Sequence, residues 1–499
     1  MLIKRDIDTI RAYFEDSSNL KGGNADAVYM PESLQELSGI LKEACGSKSP
    51  VTISGGGTAT TGSRVPFGGI VISMERLKRV IGISKERMSA VVEAGVTVED
   101  LKLACEKEGL FYMCHPTEKT AFVGGTVSTN ASGARSFKYG PTRRYVKRLK
   151  MVLSNGSILE VKRGERFLTK NDTTIRLGDG TTINVPLPSY KMPAGVKNAA
   201  GYYAKEGMDL IDLFIGQEGT LSVIGEVELG LVKKPDKILS CFVFFAKEED
   251  AWLFADDMRS ACRHKIPQDG LILDILSIEY FGKEAVEILR KKNANVPSLA
   301  GAAIFIEQEV GEGLEGDVVE RWAKFIARHN ASIDDTWVAM NEKEVDEFSG
   351  FRYVIPESVN EIVRRTGFAK LSTDIAVPDR SFLEMMSFYR DTFKKGNIEH
   401  VVFGHIGESH VHVNLLPKSE RELAAARDMA LAFVRKGISL GGTVSAEHGI
   451  GKIKHRYLEE MYGRDGILQM ARIKKAFDPA CVLGLDNIFP KEILHCGNF

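Results

Sequence analysis

The chain has 499 residues, 43% hydrophobic and 27% charged, the balance of ordinary globular material long enough for about three domains. Its 66 basic and 67 acidic residues leave a net charge of −1, which argues against a nucleic acid or other polyanion held by bulk charge. Seven cysteines without a C-x-x-C pair exclude a disulfide framework and a zinc knuckle, and no apolar run reaches the ~18–20 residues of a membrane span. The start, "MLIKRDIDTIRAYF", lacks the apolar stretch of a secretory signal. A cytoplasmic protein is expected, and peripheral contact with a membrane is compatible with these numbers.

In chain order, residues 31–44 read as a helix with Leu34, Leu37, Ile40 and Leu41 on one face. Residues 51–54, 68–77 and 88–95 read as strands, and Thr97 with Asp100 as a capping box for a helix over 98–108. This α/β region runs to about residue 231, and 162–190, rich in Thr, Gly, Lys and Asp, reads as a surface insertion or flap. Strand and helix then alternate again at 239–262 and at 300–329. Their alternating apolar residues predict an antiparallel sheet covered on one face. The charged stretch "VKKPDKI" (232–238) marks the boundary. After 418 the chain turns helical, with Ser419 and Glu422 as a second capping box and Gly437 as a stop.

The stretch "SGGGTATTGSR" (54–64) has the glycine spacing of a nucleotide-triphosphate loop at Gly57 and Gly62. Ser63 and Arg64 stand where that loop requires Lys and Ser or Thr, and Thr60 breaks the dinucleotide pattern G-x-G-x-x-G. Three further glycine segments follow at 123–140, 198–203 and 216–226. Glycine admits positive φ and close backbone approach, so exposed N–H groups can surround a pyrophosphate. Each segment alone reads equally well as a tight turn. Four around one α/β region suit a long ligand such as a dinucleotide.

These segments, with "VVEAGVTVEDL", "STNASGARSFKYG" and "LFIGQEGTLSVIGE" in that order, resemble the FAD-binding domain of the para-cresol methylhydroxylase (PCMH) and vanillyl-alcohol oxidase superfamily over about residues 25–230. The resemblance implies an α+β, two-lobed fold. A PCMH-type FAD-binding domain would span 1–232 and an antiparallel-sheet substrate or cap domain 233–418. A C-terminal helical segment, 419–499, would return to the FAD side. It also implies that Gly55, Gly56, Gly57, Thr58, Ala59, Thr61 and Gly62 wrap the pyrophosphate. Pro116, Thr117, Gly124, Gly125, Thr129, Asn130, Gly133, Tyr139 and Gly140 would line the flavin and ribityl chain, and Gly219, Thr220 and Ile224 the far end. Some members attach FAD through His or Cys; the loop here has Thr58 to Thr61 and no such group. Non-covalent FAD is therefore expected, with His115 read as a histidine beside the flavin pocket.

The second signal is "GHIGESHVHVN" (404–414), followed by "SAEHGIGK" (445–452). Three of the ten histidines fall within eight residues, and imidazole with carboxylate suits zinc, iron or manganese. In one strand His410 and His412 share a face; a polar strand edge is the plainer reading. The two segments are similar to "GHxGDGNxHxN" and "SGEHGIGxxK" of the flavin-dependent D-2-hydroxyacid dehydrogenases. That family includes the glycolate oxidase flavoprotein subunit, D-lactate dehydrogenases and D-2-hydroxyglutarate dehydrogenase. By that resemblance His405, His412 and Glu447 are the divalent-metal ligands, with His410 a further candidate. Asn414 stands near substrate or metal, and His448 is the catalytic base. Gly404 and Gly407 would allow a bulge that brings His405 and His412 together. Glu408, Ser409, His410 and Ala446 depart from the family pattern. A third segment, "FRYVIPESVNEIV…AKLSTDIAVP" (351–378), matches the family's substrate-carboxylate region at Arg352 and Lys370. A guanidinium suits bidentate carboxylate recognition.

The resemblance thus implies oxidation of a D-2-hydroxy acid, D-lactate or glycolate first, D-2-hydroxyglutarate or a longer acid as the alternative. Arg352 and Lys370 would hold the carboxylate, a divalent metal would polarise the hydroxyl, and His448 would take its proton. No cysteine cluster provides an iron–sulfur centre, so electrons would pass to a separate iron–sulfur subunit, electron-transfer flavoprotein or quinone. Two other enzyme classes compete with this reading. An alkyl-dihydroxyacetone-phosphate synthase shares the FAD fold without net redox chemistry. A hydrolase using the His/Glu site alone leaves the glycine segments without a use.

Overall fold

Three short parallel strands, Ala27–Met30, Ile70–Ser73 and Val51–Ser54, start the first sheet, with Leu2–Lys4 antiparallel on its edge. The structure, a computed structural model, describes residues 1–114, 118–268 and 272–495. Helix Leu34–Ser47 covers this sheet with Leu37, Ile40, Leu41 and Ala44. It begins three residues later than its periodicity predicts, because Ser33 caps it by accepting from the Glu36 N–H. Five antiparallel strands follow, in the order Val80–Ser84, Ser89–Glu93, Val223–Gly230, Val146–Val152 and Ile158–Lys162. Helix Val98–Lys107 starts at the Thr97 cap. The expected flap contains a hairpin, Thr174–Arg176 with Thr182–Asn184, and Leu168, Ile175 and Val185 anchor it in the core.

The third sheet is antiparallel, with eight strands. Its centre is Lys237–Phe245, Ala302–Val310, Ile275–Phe281, His400–Gly404 and His410–Leu415. Both faces are covered, where alternation predicted one. Val243, Phe245 and Ile304 join the core of Trp252, Phe254, Trp322 and Phe325 from helices Glu248–Arg263 and Glu315–Ala327. Their neighbours Phe242, Phe244 and Phe305 join Leu289, Ile355 and Val359 from helices Lys283–Lys292 and Glu342–Thr366. The period of two survives, but each set of side chains meets its own pair of helices.

Ion pairs and the returning C-terminal helices fit this sheet to the first half of the chain. Arg135 makes two hydrogen bonds with Glu307, at 3.1 and 2.7 Å, and Lys138 pairs with Asp274 and Glu309. The C-terminal helices Glu420–Ser439 and His455–Phe477 then lead the chain back. Val51 N donates to Val482 O, Gly484 N to Val51 O, and Lys474 Nζ to Thr220 O. Gly437 is not a helix stop. The helix runs through it to Ser439, and an added Cβ would meet Ile375 at 2.6 Å, so glycine is required there for close packing. No helix among the described residues is long and apolar enough to cross a membrane.

Candidate functional site

A cavity of about 490 Å³ opens between the first half of the chain and the third sheet. One wall is mostly backbone. Residues 55–60, parts of 121–133 and parts of 218–224 line it. A Cβ on Gly55 or Gly125 would meet no atom within 4 Å, so open space lies directly against the chain. Gly57 (φ +81°) and Gly219 (φ +70°) hold the left-handed turns of this wall. Beneath Gly57, where an added Cβ would lie 2.2 Å from its NH1, Arg64 donates to Gly55 O and Ala12 O. Its guanidinium supplies positive charge near a loop that lacks the lysine of an NTP site.

Of the candidates for this wall, Gly55, Gly56, Gly57, Thr58, Ala59, Gly124, Gly125, Thr129, Gly133, Gly219 and Ile224 face the cavity. Thr61, Gly62, Asn130, Tyr139, Gly140 and Thr220 are not among its lining residues. Thr61 shares a hydrogen bond with Ser63, and Gly62 turns against Leu20. Asn130 donates to Asn198 O and accepts from Arg143 N. Tyr139 bonds Glu309, Gly140 closes its helix at φ +80°, and Thr220 pairs with Tyr202. Pro116 and Thr117, with His115, lie outside the described residues. The segment 198–203 does not line the cavity either. Gly201 there packs on Met470, and Ala199 N donates to Ser445 O.

The other wall consists of buried charged side chains. Residues 404–414 form a hairpin rather than a bulged strand, with Phe403 opposite His412 and Ile406–Glu408 as its 3₁₀ turn. The turn brings the last residue before it, His405, alongside the returning strand. His405 Nε2 and His412 Nε2 lie 3.1 and 3.2 Å from Glu447 Oε1. His448 Nε2 is 3.6 Å from the same oxygen, its ring stacked on His412 at 5.1 Å. Two imidazole nitrogens and one carboxylate oxygen at such separations can share one ion at ordinary ligand distances of ~2.0–2.2 Å. His410 shares the His412 face, but its Nε2 lies 3.0 Å from Asp374 Oδ1. All four, His405, His410, His412 and Glu447, are close enough to hold one ion. The donor set therefore fits a divalent metal, and the bare glycine wall fits an extended cofactor.

Around these groups stand residues that motif reading passed over. Lys197 Nζ lies 2.7 Å from Glu447 Oε2 and 2.9 Å from Glu408 Oε2, and Ser132 donates to Glu447 Oε2. Glu279 Oε1 is 2.7 Å from His405 Nδ1, and its Oε2 accepts from Arg352 NH1 at 3.3 Å. Asp374 Oδ2 accepts from His448 N, Ser445 Oγ and Lys454 Nζ, and lies 3.5 Å from His448 Nδ1. Lys197 immediately precedes the glycine segment 198–203, and Asp374 lies inside the quoted carboxylate segment. Those adjacencies were the only signals for them.

The charges set the protonation of the site. Burial alone would push the His405 imidazole down, but Glu279 and Glu447 outweigh it and hold it up at about 10. Burial opposes the Glu447 anion, yet Lys197 and His405 hold its pKa well below the usual range. Burial drives His448 down to about 4 against the pull of Asp374 and Glu447. A bound ion would displace the His405 proton, since a ligating imidazole must be neutral. Arg352, Lys370 and Asn414 also line the cavity. Lys370 Nζ donates to Asn360 Oδ1 at 3.0 Å, and burial lowers its pKa.

The FAD binding domain model matches residues 25–162, and the model of the C-terminal domain of FAD-linked oxidases matches 252–484. The glycolate oxidase subunit GlcD of Bacillus subtilis is 28% identical over 94% of this chain and 89% of its own. A D-lactate dehydrogenase of Archaeoglobus fulgidus is 31% identical over 93% of this chain and 91% of its own. A solved 4-ethylphenol oxidase from Gulosibacter chungangensis superposes with a TM-score of 0.70 at 15% identity, covering 98% of this chain and 95% of that one. At such identity the solved structure speaks for the fold alone. Paired with the backbone wall and the histidine–glutamate cluster, these likenesses show that the chain belongs to the FAD-dependent D-2-hydroxyacid dehydrogenase family, built on the PCMH-type FAD-binding fold.

Proposed function

We propose that this protein oxidises a D-2-hydroxy acid to the 2-keto acid, with D-lactate or glycolate as the first candidates and D-2-hydroxyglutarate as the alternative. The observation that carries this reading is the meeting of His405, His412, Glu447, His448 and Arg352 at one cavity whose opposite wall is bare glycine backbone. In it, 1–232 is the FAD-binding domain, 233–418 the substrate domain, and 419–499 the segment that returns Glu447 and His448 to the cofactor. FAD, held without a covalent bond, supplies a hydride acceptor, and a zinc, iron or manganese ion held by His405, His412 and Glu447 supplies a Lewis acid.

The chain's own groups do the rest. Arg352 receives the substrate carboxylate, its guanidinium held by Glu279, and Lys370 and Asn414 complete the pocket. His448 Nε2 accepts the hydroxyl proton, with Asp374 behind Nδ1 fixing the ring. Phe281 and Phe403 add apolar surface to the lining of the same cavity. Electrons leave to a separate acceptor, an iron–sulfur subunit, electron-transfer flavoprotein or quinone. The protein then works in the cytoplasm, at the membrane surface where the acceptor is a quinone. The solved alkyldihydroxyacetonephosphate synthase, at TM-score 0.66 and 15% identity, shares the fold, and the histidine–glutamate cluster favours the redox reading over an ether-forming one.

The test is a visible spectrum of the purified holoenzyme titrated anaerobically with D- and L-2-hydroxy acids. Bleaching of the flavin by one or more D-acids or by achiral glycolate, with the L-acids inert, is expected. A colourless protein, or a flavin that no 2-hydroxy acid reduces, overturns the proposal.

A further inference from the structure

Glu218 is a buried carboxylate with no cation within salt-bridge distance among the described residues. It sits in the glycine segment 216–226 in a left-handed conformation, φ +53°, and lines the cavity. Its N–H donates to Ser128 O at 2.8 Å, which ties it to the neighbouring cofactor-side segment. Its side chain leaves that wall and reaches the turn that follows His448. Ile450 N donates to Oε1 and Gly451 N to Oε2, both at 2.7 Å, and Ser63 Oγ donates to Oε2 at 3.2 Å. Successive backbone N–H groups of this kind form a nest for an anion, and here the anion is a side chain of the same protein.

The turn is shaped for that side chain. At Gly449 (φ +75°) an added Cβ would lie 2.8 Å from Glu218 Oε1 and displace the carboxylate; at Gly451 (φ +53°) it would meet the backbone, Thr61 O, at 2.2 Å. Asn487 Nδ2 donates to both Glu218 O and Ser63 O, and Lys452 Nζ to Asn487 Oδ1 and Ser63 O. Burial raises the Glu218 pKa against its hydrogen bonds. Simple packing would be served at less cost by a neutral side chain. A carboxylate, by contrast, can accept from two adjacent backbone N–H groups at once with separate oxygens.

We propose that Glu218 is a positioning residue that ties the cofactor wall to the turn carrying Glu447 and His448, so that the two walls of the site come into register together. The catalytic consequence rests on the function proposed above; the clasp itself does not. Glu218→Gln keeps the shape but turns an amide donor toward a backbone N–H. Limited trypsin digestion of FAD-loaded protein reads the turn directly, because Lys452 and Lys454 are held in it. Cleavage after these lysines is expected to rise at least fivefold in E218Q. Flavin reduction at saturating hydroxy acid is expected to fall at least tenfold, with KM changed less than threefold. Gly449→Ala is expected to act through the same contact, so that the double variant is no slower than the worse single one. Wild-type cleavage in E218Q, or a double variant whose loss is the product of the two single losses, overturns the clasp. If E218Q yields no holoenzyme, S63A, which removes one donor to the same carboxylate, decides: at least twofold faster cleavage supports the clasp and wild-type cleavage overturns it. If no hydroxy acid reduces the wild-type flavin, the proposed function falls, and the cleavage result still settles the clasp.

Discussion

The two walls of the cavity are built on opposite principles. The glycine wall presents main chain, with turns at Gly57 and Gly219 and open space beside Gly55 and Gly125. The facing wall presents ionisable side chains packed so tightly that Glu447 touches His405, His412, Lys197 and Ser132 at once. The difference teaches that the first wall is sensitive to added bulk and the second to lost charge. One wall can therefore be damaged while the other is left standing.

The largest expected effect that separates them is on the charged wall. His448→Ala should slow flavin reduction by roughly 10²–10⁴-fold, the usual contribution of a positioned acid–base group. FAD should stay bound, as the visible spectrum and a flavin release assay would show; loss of flavin would break the separation. His405→Ala should lower divalent-metal content, measured by elemental analysis, and slow reduction to a similar degree with the flavin again retained. The mirror experiment is Gly125→Val. Its side chain enters the open space beside the backbone wall, so the protein should lose FAD while its metal content is unchanged; metal lost together with flavin would show that the two walls do not stand independently.

A contact between the first half of the chain and the sheet gives a smaller effect with a pH signature. Arg135, from the glycine side, holds Glu307, from the sheet side, and although burial opposes the anion, Arg135 brings the Glu307 pKa to about 2 from an ordinary 4.5. The unfolded chain takes up this proton first, so stability rises with pH from about 2 to about 4.5 and is level above. Breaking a buried pair by removing one partner costs about 3–5 kcal/mol. Glu307→Gln should be destabilised by that order at pH 7 in urea melts. The deficit should shrink as pH falls toward 2; a deficit independent of pH would mean the pair is not what holds these two parts together. The smallest effect is expected at Arg352→Lys, which keeps the charge but loses the planar fork. KM should rise about tenfold with kcat changed less.

Much of this was legible from short patterns. The strand at Val51–Ser54 and the helix caps at Thr97 and Ser419 stand where local spacing puts them, because these depend on neighbours within a few residues. Gly437 shows the limit. A glycine near a helix end reads as a stop, yet here it admits Ile375 from a strand about sixty residues away. The sheet of the second half shows the same. Residues 239–245 are apolar at six of seven positions, a run that fits burial on both faces, but which helices cover the second face depends on where Lys283–Lys292 and Glu342–Thr366 pack. Glu279 carries no motif of its own, and Lys197 and Asp374 only adjoin or lie within quoted segments, so no local pattern paired them with His405, Glu447 and His448.

Glycine spacing and the run of histidines are properties of contiguous residues, so the sequence by itself determined the candidate backbone loops and the imidazoles of the proposed metal site. Only the tertiary structure decided which groups neutralise them. Lys197, Glu279 and Asp374 come from three separate segments, and a charge is stabilised in a buried site by whatever lies within a few ångströms of it, however far away along the chain.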